Sequence, residues 1–193
     1  MCDNLLNIFS EGWESGISDG TACGYGSTKE HTRNIVAKLD KLFSIYEECG
    51  EVLVINDAGA GDCHWIKELV DKYDKYVDYL GYDYHPRLPN IIKLDFCTEL
   101  MRPCNVILCR DVFQHLPNSM IISALKNFRQ TAKWLISTTF TNDDINNYDR
   151  PYTPVMKHSK MDLRLLPFGL GEPQGWIEET YTSKFLAVWV LQP

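Results

Sequence analysis

The sequence predicts an α/β fold: a doubly wound, mostly parallel sheet of seven strands that ends in an antiparallel hairpin at the carboxyl terminus. Three observations predict it. Short apolar runs without alternation, as expected of strands covered on both faces, take turns with stretches whose apolar residues recur at helical spacing. The runs repeatedly stop at an aspartate, a residue suited to the turn between strand and helix. Length is the third: 193 residues, 45% of them hydrophobic and 12% aromatic, suit one compact core, so residues 1–193 are read as a single domain.

Taken in order, residues 1–26 are mixed and include a Gly/Ser-rich piece, SGISDGTACGYGS, that reads as an ordered loop or flap. Ser27 and Glu30 make a capping-box pattern, and Ile35, Leu39, Leu42, Phe43 and Tyr46 continue at helical spacing to Gly50. Residues 1–49 are therefore expected to form an amino-terminal flap and helix. A central strand is predicted over 52–56. A helix over 65–77 follows, with Ile66, Leu69, Val70, Tyr73 and Val77 on one face and Lys67, Glu68, Asp71, Lys72 and Lys75 on the other. Further strands are predicted over 77–82, 91–94 and 106–109, ending in Asp83, Asp95 and the pair Arg110–Asp111. Pro117, Asn118 and Ser119 open a helix carrying Ile122, Leu125 and Phe128, and a fifth strand follows over 134–138. Residues 141–175 have little periodicity, and a loop of that length inside a compact domain is usually functional. Residues 176–180 and 185–191 read as the two strands of the closing hairpin.

Composition narrows the function. A formal charge of -7, with no lysine or arginine run, disfavours nucleic acid as a partner. Seven cysteines, without a C-x-x-C pair or a histidine at zinc spacing, read as reduced thiols in a reducing compartment, and no metal site is expected. Neither a signal peptide nor a membrane-length apolar run is recognised, so the protein is expected to be soluble and cytoplasmic.

In open α/β sheets, ligands bind at the carboxyl ends of the strands, and here that edge carries Asp57, Asp83, Asp95 and Asp111. Four acids ask for a ligand with cationic and hydroxyl groups. The first turn reads D-x-G-x-G-D, not the G-x-G-x-x-G of a dinucleotide site, and its acids would repel a pyrophosphate. S-adenosylmethionine meets the requirement with an ammonium, a sulfonium, a ribose diol and an adenine amine.

On INDAGAGD, YLGYDYHP, KLDF, CRDVFQHLP and MDLRLLPF, the chain resembles the class I S-adenosylmethionine-dependent methyltransferases, over roughly residues 20–191, and within them a small subset with GAGD followed by Trp in the first motif. The resemblance implies a Rossmann-like fold with S-adenosyl-L-methionine as cofactor and S-adenosyl-L-homocysteine as product. It places Asp57, Gly59 and Gly61 around the methionyl part of the cofactor, with Arg110 beside it. It sets Asp83 on the ribose, and Asp95 with Phe96 near the adenine. Asp62 is expected to cap the following helix and face the pocket. The family's third glycine is Cys63 here. The GYGST segment of the resembling proteins folds over the cofactor, which makes Gly24, Gly26, Ser27 and Thr28 candidates for closing the site.

Methyl transfer is an in-line displacement, so alignment supplies much of its acceleration, but a hydroxyl acceptor must also lose a proton. Asp111 and His115 stand four apart, which one helical turn after the fourth strand would place on one face. His115 is the candidate base, with Asp111 orienting it or touching the acceptor. The structural alternative has Asp111 capping the turn and His115 satisfying a backbone carbonyl. Asn142, Asp143, Tyr148, Arg150, Tyr152, Asp162 and Arg164 suit a polar acceptor, and a hydroxyl or amine of a sugar or nucleotide sugar is the best match. Arg164 equally suits a structural ion pair. The alternatives are methylation of a protein or nucleic acid, and a non-catalytic module that retains the cofactor site.

Overall fold

The structure is a computed structural model that describes residues 19–141, 145, 147–149, 158–179 and 183–191. Seven strands form one sheet in the order β3-β2-β1-β4-β5-β7-β6. They are β1 (Leu53–Ala58), β2 (Val77–Asp83), β3 (Ile92–Lys93), β4 (Cys104–Cys109), β5 (Ala132–Phe140), β6 (Gly175–Glu178) and β7 (Lys184–Val190). The first five are parallel, while β7 runs antiparallel to both β5 and β6, as the sequence predicts. Chain order reverses between β1 and β4, the position at which such sheets open a crevice at their carboxyl edge.

Among the described residues, three α-helices cover the sheet: α1 (Lys29–Cys49), α2 (Lys67–Lys72) and α3 (Asn118–Thr131). The unalternating strands feed two cores. Val106 and Leu108 of β4 join Leu53, Ile55 and Ile136 under Ile35, Leu39 and Phe43 of α1 and Leu69 of α2. Ile107 and Cys109 of the same strand face the other way, with Leu135 and Trp189, under Ile121, Leu125 and Phe128 of α3. A strand buried on both faces cannot show an apolar-polar alternation, which is why these runs read as continuous.

Two local expectations shift. Thr28, not Ser27, caps α1: Ser27 is used in a 3-10 turn (Tyr25–Ser27), and the Thr28 hydroxyl accepts the backbone N–H of His31 at 3.4 Å. The helix predicted over 65–77 is realised only as Lys67–Lys72. Tyr73 still docks, its hydroxyl donating to Asp40 at 3.0 Å and its ring lying 5.7 Å from Phe43. Val77 pairs with Leu53 in the sheet, so the ladder takes the last residue that the helical period claimed.

Among the described residues no helix is long and apolar enough to cross a membrane.

Candidate functional site

The carboxyl edge of β1 sets the site. Gly59 and Gly61 have φ of 86° and 59°, backbone that favours glycine, and a Cβ on either would come within 2.3 Å of Val112 or 2.4 Å of Cys23. Cys63, at the place of the third glycine, also takes a positive φ, 53°. It is buried, which pushes its thiol up to about 12, and it contacts the Tyr79 hydroxyl at 3.4 Å. Burial likewise pushes Cys23 up to about 12, so neither is a thiolate nucleophile near neutral pH.

The four strand-end acids turn out unlike one another. Asp57, 4% exposed, receives the Tyr79 hydroxyl at 2.5 Å and faces a recess of about 30 Å³ with Trp65 and Arg110 on its wall. Burial pushes its carboxyl up to about 7, against the Tyr79 hydrogen bond. Asp83 accepts the N–H groups of Gly61 at 2.9 Å and His85 at 2.8 Å, and burial raises its pKa. Asp95 accepts Cys97 N–H at 2.9 Å. Asp111, at φ 57°, accepts Lys184 Nζ at 2.7 Å and Gln114 Nε2 at 3.0 Å and lies 3.3 Å from Arg110. Burial opposes its ionisation, yet Arg110 and Lys184 hold it well below the usual carboxylate range.

A cavity of about 650 Å³ lies along this edge, within the range of small-molecule sites. Its lining comes from the loops after β1, β2 and β3 (Gly59, Gly61, Asp83, His85, Arg87, Asp95 and Phe96) and, across the sheet, from the residues after β4, the end of β5 and the start of β7 (Val112, His115, Met120, Phe140 and Lys184), with His158 and Lys160. The amino-terminal residues Gly24, Tyr25, Gly26 and Ser27 close over it. Their closure is tied down twice. Asp62 accepts the Thr21 hydroxyl at 2.9 Å and Ala22 N–H at 2.6 Å, and Arg110 Nη2 donates to the Gly26 carbonyl at 2.7 Å. Arg110 also pairs with Glu179 at 2.7 Å, while Glu179 pairs with Lys184 at 3.0 Å. Three buried charges, Arg110, Glu179 and Lys184, with the half-buried Asp111, thus knit β4, β6 and β7 to the covering segment.

A family model described as a methyltransferase domain matches residues 29–192. The chain belongs to the methyltransferase-domain family. With the fold, that makes it a class I S-adenosylmethionine-dependent methyltransferase. Magnesium protoporphyrin IX methyltransferase from Synechocystis, solved with S-adenosylmethionine bound, superposes with a TM-score of 0.62 at 14% identity, over 98% of this chain and 97% of that one. An O-methyltransferase family 2 protein from Planctomyces limnophilus, solved with apigenin, gives 0.54 at 11% identity, over 72% of this chain and 50% of that one. At these identities the likeness is one of fold. The search of curated proteins matched none.

Of the residues that the sequence singled out in this methyltransferase, Gly24, Gly26, Ser27, Gly59, Gly61, Asp83, Asp95, Phe96, Arg110, Asp111 and His115 line the large cavity. Asp57 and Asp62 reach only the small recess. Three expectations need correction. Asp62 is occupied by residues 21 and 22, and the helix after it has Ile66 as its cap with no side-chain bond. Thr28 does not line the cavity, because its hydroxyl is spent on capping α1 and on the His31 ring at 2.7 Å. Asp111 and His115 do not share an α-helical turn: Asp111 sits in positive-φ backbone and a 3-10 turn (Phe113–His115) follows, so Asp111 answers to Lys184.

Arg164 is not a wall of the cavity either. It forks onto Asp162 at 2.6 Å, reaches Glu172 at 3.3 Å and lies 5.6 Å from the Trp176 ring centroid. Tyr148 is 75% exposed and lines no part of the cavity. Asn142, Asp143, Arg150 and Tyr152 lie outside the described residues.

Tyr25, Cys23, His85, His158, Lys160, Lys184 and Glu179 belong to the site or its support without having been singled out in the sequence. Among the described residues, no group of three or more His, Cys, Asp or Glu is placed to hold a metal ion.

Proposed function

We propose that this methyltransferase transfers the methyl group of S-adenosylmethionine to a hydroxyl of a small polar acceptor, a sugar or nucleotide sugar, with His115 as general base. One observation carries the reading: a single cavity along the carboxyl edge of β1, β2 and β4 is lined both by Asp83 and Asp95 and by His115. The residues fit the cofactor. Each oxygen of Asp83 already accepts one N–H, which leaves a lone pair apiece for the two ribose hydroxyls. Asp95 and Phe96 suit the adenine, one as acceptor for its amine and the other as an apolar face. The recess beside Asp57, about 30 Å³, has room for an ammonium or a water.

The cofactor, when bound, supplies a methyl carbon activated by the adjacent sulfonium. The chain does the rest. Asp57, Gly59 and Gly61 fix the donor end, and the 24–27 segment, latched by Arg110, keeps water out. The His115 imidazole accepts the proton of the acceptor hydroxyl as its oxygen bonds to the methyl carbon and the carbon-sulfur bond breaks. S-adenosylhomocysteine and a proton on His115 are what remain.

Calorimetric titration with S-adenosylmethionine and S-adenosylhomocysteine tests the cofactor half, and radiolabelled methyl incorporation into a panel of sugars tests the acceptor half. His115→Ala should lower turnover about 10²-fold or more while S-adenosylhomocysteine affinity stays the same. An unchanged rate would remove His115 from the mechanism.

A further inference from the structure

Asp57 is the acid at this edge whose surroundings do not support a charge. It lies within β1, paired to β2 on one side and to β4 on the other, and its side chain is buried. Among the described residues the Tyr79 hydroxyl is its one hydrogen-bond donor, at 2.5 Å, and it makes no ion pair. Its neighbours are better provided for. Asp83 accepts two backbone N–H groups, while Asp111 accepts Lys184 and Gln114 and faces Arg110. A carboxyl group in a dry site with a single neutral donor favours its protonated form, because burial penalises the charge.

The groups around Asp57 do not offset that penalty. From β2 come the Tyr79 phenol and the Asp83 carboxylate, and the second works against ionisation. The turn after β1 brings Asp62, already bonded by residues 21 and 22, and Cys63, whose thiol burial pushes up to about 12. Cys23 of the covering segment is alike, and the buried Cys109 thiol of β4 is raised further. Arg110 is the one cation among the described residues here, and its charge is shared with Glu179 at 2.7 Å and Asp111 at 3.3 Å. Asp57 also lines the recess of about 30 Å³, which has Cys23, Ser27, Gly59, Gly61 and Arg110 in common with the large cavity. A ligand in that cavity can therefore reach Asp57 with a small group.

We infer that Asp57 holds a proton in the ligand-free protein and releases it to solvent when the cofactor's ammonium enters the recess, a step that rests on the cofactor placement proposed above. The ammonium is the opposite charge that Asp57 lacks, and beside it the ionised form is favoured. Charge balances: a neutral acid and an ammonium become an ion pair, and one proton leaves. The release couples cofactor affinity to pH. Burial lifts the ligand-free Asp57 carboxyl to about 7, so affinity should rise about tenfold per pH unit below that value and level off above it, where no proton remains to be released. Above about pH 8 the cofactor's own α-amino group loses its proton, and affinity should fall again. Donor and product carry the same ammonium, so pH shifts both affinities together.

S-adenosylhomocysteine is titrated calorimetrically into the protein at pH 6.5 in phosphate and in imidazole, buffers whose ionisation heats differ, so that the apparent enthalpy counts the protons released. About half a proton or more should leave per ligand bound, and the Kd should rise about tenfold from pH 7 to pH 5.5. Asp57→Asn should bind more weakly and release none, which separates Asp57 from the imidazoles of His85, His115 and His158 that line the same cavity. Carbon NMR of the Asp57 carboxyl reads the same event without a substitution: its midpoint should lie near neutrality in the free protein and move to the ordinary aspartate range, about 4, with S-adenosylhomocysteine bound. Equal apparent enthalpies in the two buffers, a proton release that survives Asp57→Asn, or an ordinary midpoint in the free protein would overturn the inference. Failure of S-adenosylhomocysteine to bind at any pH would instead remove the cofactor placement, while the free-protein midpoint is read independently of it.

Discussion

Replacing Asp57 by Asn should make the ligand-free protein more stable above neutral pH and its hold on the cofactor weaker. Asp57 is 4% exposed, and burial lifts its carboxyl from an ordinary 3.8 to about 7, with the Tyr79 hydroxyl resisting and the nearby Asp83 charge adding to the lift. The raised value fixes the sign. Between pH 3.8 and about 7 the native protein keeps a proton that the unfolded chain has released, so this group's contribution to stability is complete below that window and is lost as pH rises through it. Above the window the folded protein carries a buried carboxylate, at a cost on the order of 4 kcal/mol. Asparagine has the same shape, accepts the Tyr79 hydroxyl and never ionises. Urea denaturation of both proteins from pH 4 to 8.5 checks this: the variant's advantage should grow through the window and level off above it. A variant less stable at pH 8, or a difference independent of pH, would refute the reasoning. Calorimetry should show the opposite effect on the ligand: on the proposed placement of the cofactor's ammonium beside Asp57, S-adenosylmethionine binding should weaken about tenfold or more.

Two further substitutions probe the scaffold of the site. Gly59→Ala combines a side chain at φ 86° with a Cβ 2.3 Å from Val112, so it should cost about 2 kcal/mol or more in thermal denaturation and reduce binding of S-adenosylhomocysteine. Glu179→Ala leaves the buried cations Arg110 and Lys184 facing Asp111 alone, and breaking such a network costs about 3–5 kcal/mol. The drop should be read at low and high salt, since a buried cluster is screened far less than a surface pair. A small or strongly salt-dependent loss would mean that the four charges are solvated.

The sequence made the sheet legible because its strands are apolar on both faces while its helices are apolar on one, and those two patterns do not resemble each other. Boundaries were less legible where two elements compete for a residue. Val77 satisfies both the helical period and the parallel ladder, and the ladder wins because it also satisfies the backbone beside Leu53. At the site, Asp83 and Asp95 could be found because one closes its apolar run and the other comes within two residues of its strand. Lys184 and Glu179 could not be found that way. The antiparallel return of β7 brings Lys184 to Asp111 across 73 residues, and no local spacing encodes that. A signal did exist: Glu179 and Lys184 are charged residues flanking the hairpin turn at positions that would otherwise be apolar, and both are buried. Opposite charges at the inner ends of a predicted buried hairpin point to an internal partner. The same range problem hid His158 and Lys160, which lie in a stretch without period and reach the cavity through bonds from Ser159 to Gln114 and from Phe140 to Met161.

The strand order gives these charges a common logic. On one side of the junction between β1 and β4 stand Asp57 within β1, Asp83 at the end of β2 and Asp95 two residues after β3; on the other, β4, β5 and β7 contribute Arg110, Lys184 and the anchorage of His158 and Lys160. Asp111, the acid that follows β4 on the far side of the junction, is closed off by the two cations Arg110 and Lys184, so the carboxylates left open to a ligand are those on the near side, Asp83 and Asp95.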